Sequence, residues 1–157
     1  MTDDEKQQLI QQLRQRAYGL LSRREYSRLE LRRKLAGDDV EAALLEQLLD
    51  QFQQQGLQSD QRFCESFIRS RIGRGQGEIR IIQELRQRGI EEELSRDQLE
   101  ACEQDWFELA RSVRQRRFGV ALPQDQKQRA KQLRFLLYRG FSQEQARFAM
   151  ESTDESW

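Results

Sequence analysis

Apolar residues recur along this chain at the three- and four-residue spacing of an amphipathic helix. The first stripe predicts a helix that begins just after Thr2 and Asp3, and its apolar members are Ile10, Leu13, Ala17, Leu20 and Leu21. No stretch sustains the two-residue alternation of a half-buried strand, and the sequence has a single proline, Pro123. The pattern therefore predicts an all-α chain.

Polar residues at helix ends predict where individual helices begin and stop. Ser27 and Glu30 have the spacing of a capping box, which predicts the start of a short second helix. Asp38 or Asp39 is expected to cap a third helix, which ends before Gly56. The same kinds of signal predict a helix that opens at 59–60 and further helices over about 78–88, 91–102, 104–117, 124–138 and 142–151.

One short apolar segment occurs three times, at residues 29–35, 79–85 and 130–136. Each copy is followed five residues later by an apolar residue, and in the last two copies a glycine, Gly89 or Gly140, precedes it. Glycine at that position favours the left-handed conformation that ends a helix and folds the next apolar residue back. The repeats predict three tandem three-helix modules of helix-turn-helix type in an elongated, curved array, with boundaries at 1–57, 58–103 and 104–157.

Three glycines, Gly73, Gly75 and Gly77, alternate with other residues near the middle of the chain. A dinucleotide-binding glycine loop would follow a strand, but helical spacing precedes this stretch, and the Gly-Lys-Ser/Thr of a phosphate loop is absent. We therefore predict a basic, hinge-like connection between two helices, with an exposed backbone. The first amides of the helix that begins near Glu78 are candidates for contact with a phosphate or carboxylate of a partner.

The net charge of the chain is zero, because 27 basic residues balance 27 acidic ones. The two kinds of charge are nevertheless distributed unevenly along the sequence. Residues 14–34, 61–90 and 109–147 are basic, and acidic segments separate them. Arginine supplies 23 of the basic residues and lysine supplies 4. Because guanidinium groups suit carboxylates, phosphates and stacking, this bias favours a recognition surface; solvated helix faces with internal ion pairs are the alternative.

Histidine is absent from the sequence, which removes the commonest general base and metal ligand. No nucleophile motif, paired-carboxylate motif or metal-ligand spacing occurs, so we predict no enzymatic activity, no catalytic residue, no metal and no cofactor. Cys64 and Cys102 are both expected to be reduced and buried in helical cores. The polar composition and the lack of a long apolar run predict a soluble, cytoplasmic protein.

The second repeat carries a set of short motifs in a fixed order, namely Asp60–Phe63, Phe67–Arg71, Arg74–Gly77, Glu84-Leu85 and Arg88–Ile90. The third repeat adds Arg134–Phe141, and the first adds Ala17-Tyr18, Leu20-Leu21, Glu30-Leu31 and Leu35. Over roughly residues 14–152, this set resembles the RecX family of bacterial regulatory proteins in order and spacing. One departure is Glu78, which stands where the family often has proline; both residues suit a helix start.

The resemblance implies a non-enzymatic negative regulator of the RecA recombinase, acting in DNA recombination, DNA repair and the SOS response. Members of the family bind RecA and its filaments on single-stranded DNA along the helical groove. They inhibit filament extension, ATP hydrolysis and strand exchange. The implied partners are RecA and the RecA–DNA filament. Weak direct binding to DNA is a further expectation, and no membrane partner is expected. The alternative is a stand-alone nucleic-acid-binding module of helix-turn-helix type, which would bind DNA without RecA and with a steep salt dependence.

The candidate contact residues for RecA or DNA are basic side chains in each repeat and one tyrosine, Tyr138, which could stack on a base or a partner. The other aromatic side chains, among them Phe63, Phe67, Trp106, Phe135 and Phe148, are expected in the cores. The basic candidates are Arg24, Arg28, Arg32, Arg33 and Lys34 in the first repeat, Arg69, Arg71, Arg74, Arg80, Arg86 and Arg88 in the second, and Lys127, Arg129, Lys131, Arg134 and Arg139 in the third.

Overall fold

The computed structural model describes residues 1–151 of the 157-residue chain. Within this range the chain forms nine α-helices and no strand, which confirms the all-α prediction. None of these helices is long and apolar enough to cross a membrane. The helices are α1 Asp3–Leu21, α2 Arg28–Leu35, α3 Ala42–Gln54, α4 Asp60–Gly73, α5 Glu78–Gln87, α6 Glu92–Ala101, α7 Trp106–Phe118, α8 Gln126–Tyr138 and α9 Gln143–Glu151.

The helices pack in three groups of three, each around its own apolar cluster, and we call α1–α3, α4–α6 and α7–α9 the first, second and third modules. The fully buried members include Leu31, Leu48 and Phe52 in the first cluster, Ile81 and Leu85 in the second, and Leu136 and Phe141 in the third. Units of about 50 residues bury little surface alone, so contacts between modules contribute to the stability of the fold.

The observed start of α2 agrees with the prediction from the sequence, whereas the observed cap of α3 does not. The Ser27 hydroxyl accepts a hydrogen bond from the Glu30 amide, and the Glu30 carboxylate accepts one from the Ser27 amide, as predicted. The prediction of an aspartate cap for α3 is wrong, because Glu41 precedes the helix and makes no side-chain cap. Asp38 and Asp39 lie earlier, in a turn closed by the Val40 amide and the Gly37 carbonyl.

The predicted glycine ends of α5 and α8 are confirmed. Gly89 has φ 78° and Gly140 has φ 103°, the left-handed conformation that glycine adopts without a side-chain penalty. The next residue in each case folds back onto the helix: the Ile90 amide donates to the Leu85 carbonyl, and the Phe141 amide donates to the Leu136 carbonyl. Ile90 and Phe141 are both buried, so each glycine directs an apolar side chain into its module.

The two cysteines differ in their surroundings. Cys64 is buried in the second module, and burial raises the pKa of its thiol to about 11. Cys102 is exposed, so the prediction that it is buried is wrong. The reason is its place just after the last residue of α6, in a turn where its Sγ donates to the Leu99 carbonyl. Among the aromatics predicted in the cores, Phe63 is buried, whereas Phe67, Trp106, Phe135 and Phe148 are half-buried.

The glycine joint between α4 and α5 is buried against the third module, so the prediction of an exposed, hinge-like backbone is wrong. Gly75, Gln76 and Gly77 are all buried. The Gly77 amide donates to the Arg139 carbonyl at 2.8 Å, and the Ile79 amide donates to the Gly140 carbonyl at 3.1 Å. The amide of the N-cap residue Gly77 and the amide of Ile79 in the first turn of α5 thus bind the end of α8 rather than an external anion. Backbone bonds join the second and third modules.

The contact between the first and second modules resembles the contact between the second and third, but a side chain replaces a backbone carbonyl as the hydrogen-bond acceptor. A Cβ atom at Gly89 would lie 2.7 Å from the Leu29 Cβ, so the end of α5 packs closely against the start of α2. In the same way, a Cβ atom at Gly140 would lie 2.8 Å from the Arg80 amide nitrogen near the start of α5. The first amide of α2, at Arg28, donates to Asp60 at 2.8 Å instead of to a backbone carbonyl. The same stacking therefore occurs twice along the chain.

Candidate functional site

Three surface cavities in the described part of the chain adjoin one another around the buried glycine joint. The joint cavity, of about 310 Å³, lies between the first and second modules. The arginine cleft, of about 200 Å³, lies between the second and third modules. The tyrosine cavity, of about 590 Å³, lies along α5 and the end of α8. Arg74 lines both the joint cavity and the arginine cleft, and Arg88 lines both the joint cavity and the tyrosine cavity, so the three cavities form one surface.

Eight arginines line this surface, and we call them the arginine belt: Arg24, Arg71, Arg74, Arg80, Arg88, Arg116, Arg117 and Arg139. Within residues 1–151, the acidic side chains that line the same cavities are Glu25, Glu30 and Glu84. Eight guanidinium groups against three carboxylates leave an excess of positive charge on this surface. Because arginine stays protonated in proteins, the excess persists at any working pH and attracts anions.

Phe67 orients two arginines of the joint cavity. The Cζ atoms of Arg71 and Arg88 lie 4.4 and 4.7 Å from the centroid of its ring, within the range of a cation–π contact. The Arg71 side chain is only 14% exposed, and this burial lowers the pKa of its guanidinium, while the Glu84 carboxylate 3.4 Å away raises it. The ring therefore fixes both guanidinium groups at the wall of the cavity.

Glu30 joins arginines of the first and second modules. Its carboxylate lies 3.1 Å from Arg24 and 3.6 Å from Arg88, and Arg24 also lies over the Tyr26 ring with its Cζ at 3.6 Å from the centroid. Ion pairs at a protein surface contribute about 0–1 kcal/mol each, and these two are partly exposed, so their main effect is on geometry. They hold arginines from two modules at one edge of the joint cavity.

The tyrosine cavity combines exposed apolar groups with cations. Tyr138 is 76% exposed, and the Arg80 guanidinium lies over its ring with Cζ at 5.2 Å from the centroid. Ile79 and Leu137 are exposed beside it. Arg80 also pairs with Glu84 at 3.4 Å, so it is positioned on one side by a carboxylate and on the other by a ring. An exposed aromatic side chain backed by arginine can stack on a base or on a partner side chain.

The arginine cleft contains Arg74, Arg116, Arg117 and Arg139 around Phe135. Arg139 donates from Nη1 to the Arg74 carbonyl at 2.8 Å, and its Cζ lies 5.2 Å from the Phe135 ring centroid. Arg117 lies over the same ring, with its Cζ at 5.7 Å. Arg139 and Arg117 thus share one aromatic support, and Arg139 crosses the boundary between the second and third modules.

The structure brings together seven of the predicted residues, namely Arg24, Arg71, Arg74, Arg80, Arg88, Tyr138 and Arg139. Sequence reasoning missed Arg116 and Arg117, which lie in the last turn of α7 and reach the cleft across the module boundary. The signal that could have identified them is the adjacent Arg-Arg pair just before Phe118 and Gly119. A cationic pair at a helix end is also favoured by the helix dipole, so the pair alone does not indicate a ligand site.

Arg28 and Arg32 lie outside the belt, because they bind carboxylates within the first module. Arg32 donates from two nitrogens to both oxygens of Glu46, at 2.6 and 2.9 Å. Arg28 pairs with Glu46 at 3.2 Å and with Asp50 at 2.7 Å. The hydrogen bond from Arg32, helped by Arg28, lowers the pKa of Glu46 to about 2. Arg28 and Arg32 therefore form internal ion pairs, which was the alternative to a recognition surface.

The remaining candidates are scattered over other surfaces. Arg86 pairs with Glu92 at 3.2 Å, and Arg129 pairs with Glu151 at 3.3 Å. Arg69 lines a groove of about 660 Å³ with Cys102, and Lys131 lines a cavity of about 400 Å³ with Phe118. The last four candidates are exposed, make no ion pair with any residue in 1–151 and line none of these cavities; they are Arg33, Lys34, Lys127 and Arg134.

One further arginine of the third basic segment is not on the surface at all. Arg114 is 0% exposed, and it donates to the carbonyls of Ala149, Val120 and Ala121 and to the Gln132 side chain. Burial lowers the pKa of its guanidinium. Its acceptors include a carbonyl in the last turn of α9, where the helix dipole favours a cation. Arg114 therefore joins α9 to the loop after α7.

Sequence comparisons point to one family. Residues 59–98 match the family model described as RecX, second three-helix domain, and residues 103–150 match RecX, third three-helix domain. The chain is 43% identical over 143 residues to the regulatory protein RecX of Halorhodospira halophila, which covers 91% of this chain and 89% of that protein. It is 47% identical over 139 residues to the regulatory protein RecX of Chromohalobacter salexigens, covering 85% and 88%.

Solved structures share the fold. The crystal structure of RecX from Lactobacillus salivarius superimposes with a TM-score of 0.77 at 20% identity, over 92% of this chain and 96% of that one. A second crystal structure of a regulatory protein RecX gives a TM-score of 0.79 at 23% identity, over 92% and 74%. Because the sequence relatives are more than 40% identical across most of both chains, the resemblance in the motifs is confirmed, and the chain belongs to the RecX family of regulatory proteins.

Proposed function

We propose that this protein binds RecA and RecA filaments on single-stranded DNA along the filament groove, and that it inhibits filament extension, ATP hydrolysis and strand exchange. It acts in the cytoplasm as a negative regulator of recombination, DNA repair and the SOS response, and it catalyses no reaction itself. Membership of a family of regulatory proteins supports the regulatory part of this proposal. The arginine belt is the observation that carries the rest, because it is a single cationic surface that extends over all three modules.

The belt suits a polymeric target better than a small ligand. A nucleoprotein filament presents carboxylates and phosphates repeatedly, and several modest contacts made at once gain affinity through effective concentration. Charge complementarity of this kind mainly raises the rate of encounter and fixes the orientation of the complex. The backbone bonds between Gly77 and Arg139 and between Ile79 and Gly140 hold the second and third modules at one spacing. That preorganisation reduces the entropy cost of binding at two positions at once.

The test is the ATP hydrolysis that single-stranded DNA elicits from RecA, measured over a titration of this protein at low and at physiological salt. We expect inhibition at substoichiometric amounts, with a weaker effect at higher salt because the contacts are ionic. Hydrolysis that is unchanged over the whole titration at low salt would reject the proposal.

A matched pair of charge reversals tests the belt itself. Arg24→Glu with Arg74→Glu reverses two exposed belt residues, and Arg16→Glu with Arg23→Glu reverses two exposed arginines that line none of the three cavities. We expect the belt variant to need roughly tenfold more protein for half-inhibition, and the control about as much as the wild type. Equal losses in both variants, at unchanged helicity, would show that net charge rather than this surface matters. Tight DNA binding without any effect on RecA would favour the stand-alone DNA-binding module.

A further inference from the structure

A groove of about 660 Å³ lies between α4 and α6 of the second module, outside the arginine belt, and we call it the α4–α6 groove. Ile68, Ile72 and Ala101 contribute apolar side chains to its lining. Ile68 and Ile72 are one turn apart on α4, whereas Ser66 and Ser70, which line the joint cavity, lie on the opposite face of that helix. The groove and the belt therefore open on different sides of the second module.

The surface around this groove is acidic, in contrast to the belt. Glu65 lines the groove, and Asp97 lies one turn before Ala101 on the same face of α6. Asp97 and the nearby Glu100 are exposed and form no ion pair with any residue in 1–151. Arg69 is the only cation among the described residues that line the groove. An apolar groove with acidic surroundings suits a partner surface that is apolar with basic neighbours.

The same chain carries such a surface at the tyrosine cavity. Ile79, Leu137 and Tyr138 are 48, 36 and 76% exposed, and we call these three residues the tyrosine patch. Large apolar side chains that are exposed side by side are typical of protein interaction surfaces. The Arg80 guanidinium lies over the Tyr138 ring, and Arg88 lines the same cavity. The patch is therefore complementary to the α4–α6 groove in both polarity and charge.

We propose that the tyrosine patch of one copy of this protein docks in the α4–α6 groove of a second copy. Tyr138 is the kind of large aromatic side chain that fills the centre of protein interfaces, and Ile68 and Ile72 are its apolar partners. Cavities of about 300–1,000 Å³ enclose an inserted group, and the groove lies within that range. Arg80 of the docking copy then meets the carboxylates around the groove, among them that of Asp97.

The fold requires that this contact form between two copies. The backbone bond from the Gly77 amide to the Arg139 carbonyl holds the end of α8 against α5, so the tyrosine patch cannot reach the groove of its own chain. Each copy offers a patch to one neighbour and a groove to another. Such a head-to-tail contact forms dimers first and longer chains at higher concentration.

Self-association covers a part of the arginine belt, because the tyrosine patch lines one of its three cavities. A copy whose patch is docked has therefore lost a part of the surface that the proposed function uses, and the two contacts compete. The inference goes beyond the proposed function, since it concerns a second copy of this chain and stands whether or not RecA is the target.

The first experiment is sedimentation velocity of the full-length protein over a concentration series at low and at physiological salt. We expect the average mass to rise with concentration, and to rise less at the higher salt because carboxylates and arginines contribute. Tyr138→Ala should raise the Kd of self-association roughly tenfold, since it removes the central side chain. The control Val120→Ala shortens an apolar side chain that is 70% exposed and lines neither surface, so its Kd should stay within about twofold of the wild type.

A second pair of variants tests the groove. Ala101→Arg places a long cationic side chain in the groove, and the control Ala43→Arg adds the same side chain at an exposed position of α3. We expect the groove variant to raise the Kd roughly tenfold and the control to leave it unchanged. The inference is overturned if the wild type stays monomeric at every concentration, or if the two variants weaken association equally.

Cross-linking identifies the two surfaces that meet. Cys102 is exposed and lines the groove, whereas Cys64 is buried with its pKa raised to about 11, so a short bismaleimide reacts at Cys102. Gln83 is exposed and lines the tyrosine cavity. We expect wild-type protein to form cross-linked dimers with a Gln83→Cys, Cys102→Ser variant, and none with a Gln15→Cys, Cys102→Ser control. Dimers formed by the Gln83→Cys, Cys102→Ser variant alone would show that two patches meet and would overturn the assignment to the groove.

Inhibition of RecA ATP hydrolysis is measured on the same proteins, so the two proposals fail separately. Ala101 lies outside the belt, and we expect Ala101→Arg to inhibit RecA at least as fully as the wild type. A wild type that inhibits RecA but stays monomeric overturns the inference and leaves the proposed function standing. A wild type that associates as expected but leaves ATP hydrolysis unchanged refutes the proposed function alone.

Discussion

Gly77 offers a test of the contact that holds the second and third modules together. It is buried, and a Cβ atom built on it would lie 2.5 Å from the Phe141 amide nitrogen and closer still to the Gly140 carbonyl group. These neighbours are backbone atoms, so they cannot move aside as a flexible side chain would. Gly77 has φ −84° and ψ 167°, an extended conformation that alanine adopts freely. The cost of Gly77→Ala therefore arises from the clash and not from the backbone conformation.

The size of the effect follows from the bonds that the methyl group would displace. Two backbone hydrogen bonds cross this boundary, from Gly77 to Arg139 and from Ile79 to Gly140. Each contributes about 0.5–1.5 kcal/mol net, so their loss costs about 1–3 kcal/mol of the free energy of unfolding. Gly73→Ala is the matched control, because it adds the same methyl group four residues earlier with nothing within 4 Å. Because Gly73 lies within α4, the Gly73→Ala variant should gain up to about 1 kcal/mol in the free energy of unfolding from the replacement of a helical glycine.

The assay is urea unfolding followed by the fluorescence of Trp106, in a Trp157→Phe background that leaves one tryptophan. Trp106 belongs to α7 but packs against the apolar cluster of the second module, so it reports on the same boundary. We expect a lower urea midpoint for Gly77→Ala, an unchanged or higher one for Gly73→Ala, and a red-shifted native emission only for the first. If Gly77→Ala unfolded at the wild-type midpoint with an unshifted spectrum, the backbone contact between the modules would not exist in solution.

Two further predictions follow from buried and paired charges. Arg114→Met leaves the carbonyls that Arg114 binds, among them that of Ala149, without their donor, so we expect a loss of about 2–4 kcal/mol in urea unfolding; wild-type stability would contradict this. Glu46→Gln removes the partner of Arg32 and should cost about 1 kcal/mol or less at pH 7, because the Glu46 side chain is 43% exposed. The pKa of Glu46 is lowered in the fold from 4.5 to about 2, so its contribution is complete above pH 4.5 and is lost as the pH falls towards 2. A difference between Glu46→Gln and wild type that stays constant over that range would refute the pairing.

Local signals in the sequence were sufficient for the helices and for their ends at glycine. The capping box at Ser27 and the left-handed residues Gly89 and Gly140 were predicted correctly, because each depends on interactions within a few residues. The aspartate cap of α3 was predicted wrongly for the same local reason. Several polar residues near a helix start can all serve as a cap, and the turn that closes at Val40 decides against Asp38 and Asp39.

The candidate surface was predicted only in part, because charge in a sequence does not reveal its partner. Arg32 and Arg80 both belong to basic segments, yet Arg32 is bound by both oxygens of Glu46 while Arg80 lies at an open cavity beside Tyr138. The sequence around Arg114 and Arg116 likewise does not show that their environments differ, but Arg114 is buried and Arg116 is exposed. Packing between residues far apart in the sequence determines these environments, and the spacing of residues along one helix does not predict that packing.

The sequence by itself determined the all-α class, the threefold repeat, most helix limits and the family, because all of these depend on local spacing and short motifs. Only the tertiary structure decided that the glycine joint is a buried contact rather than a hinge. Only the tertiary structure, likewise, brought Arg74, Arg117 and Arg139 from two modules into one cleft. The physical reason is that both features require surfaces from residues about 60 positions apart to meet closely, which depends on how whole modules stack.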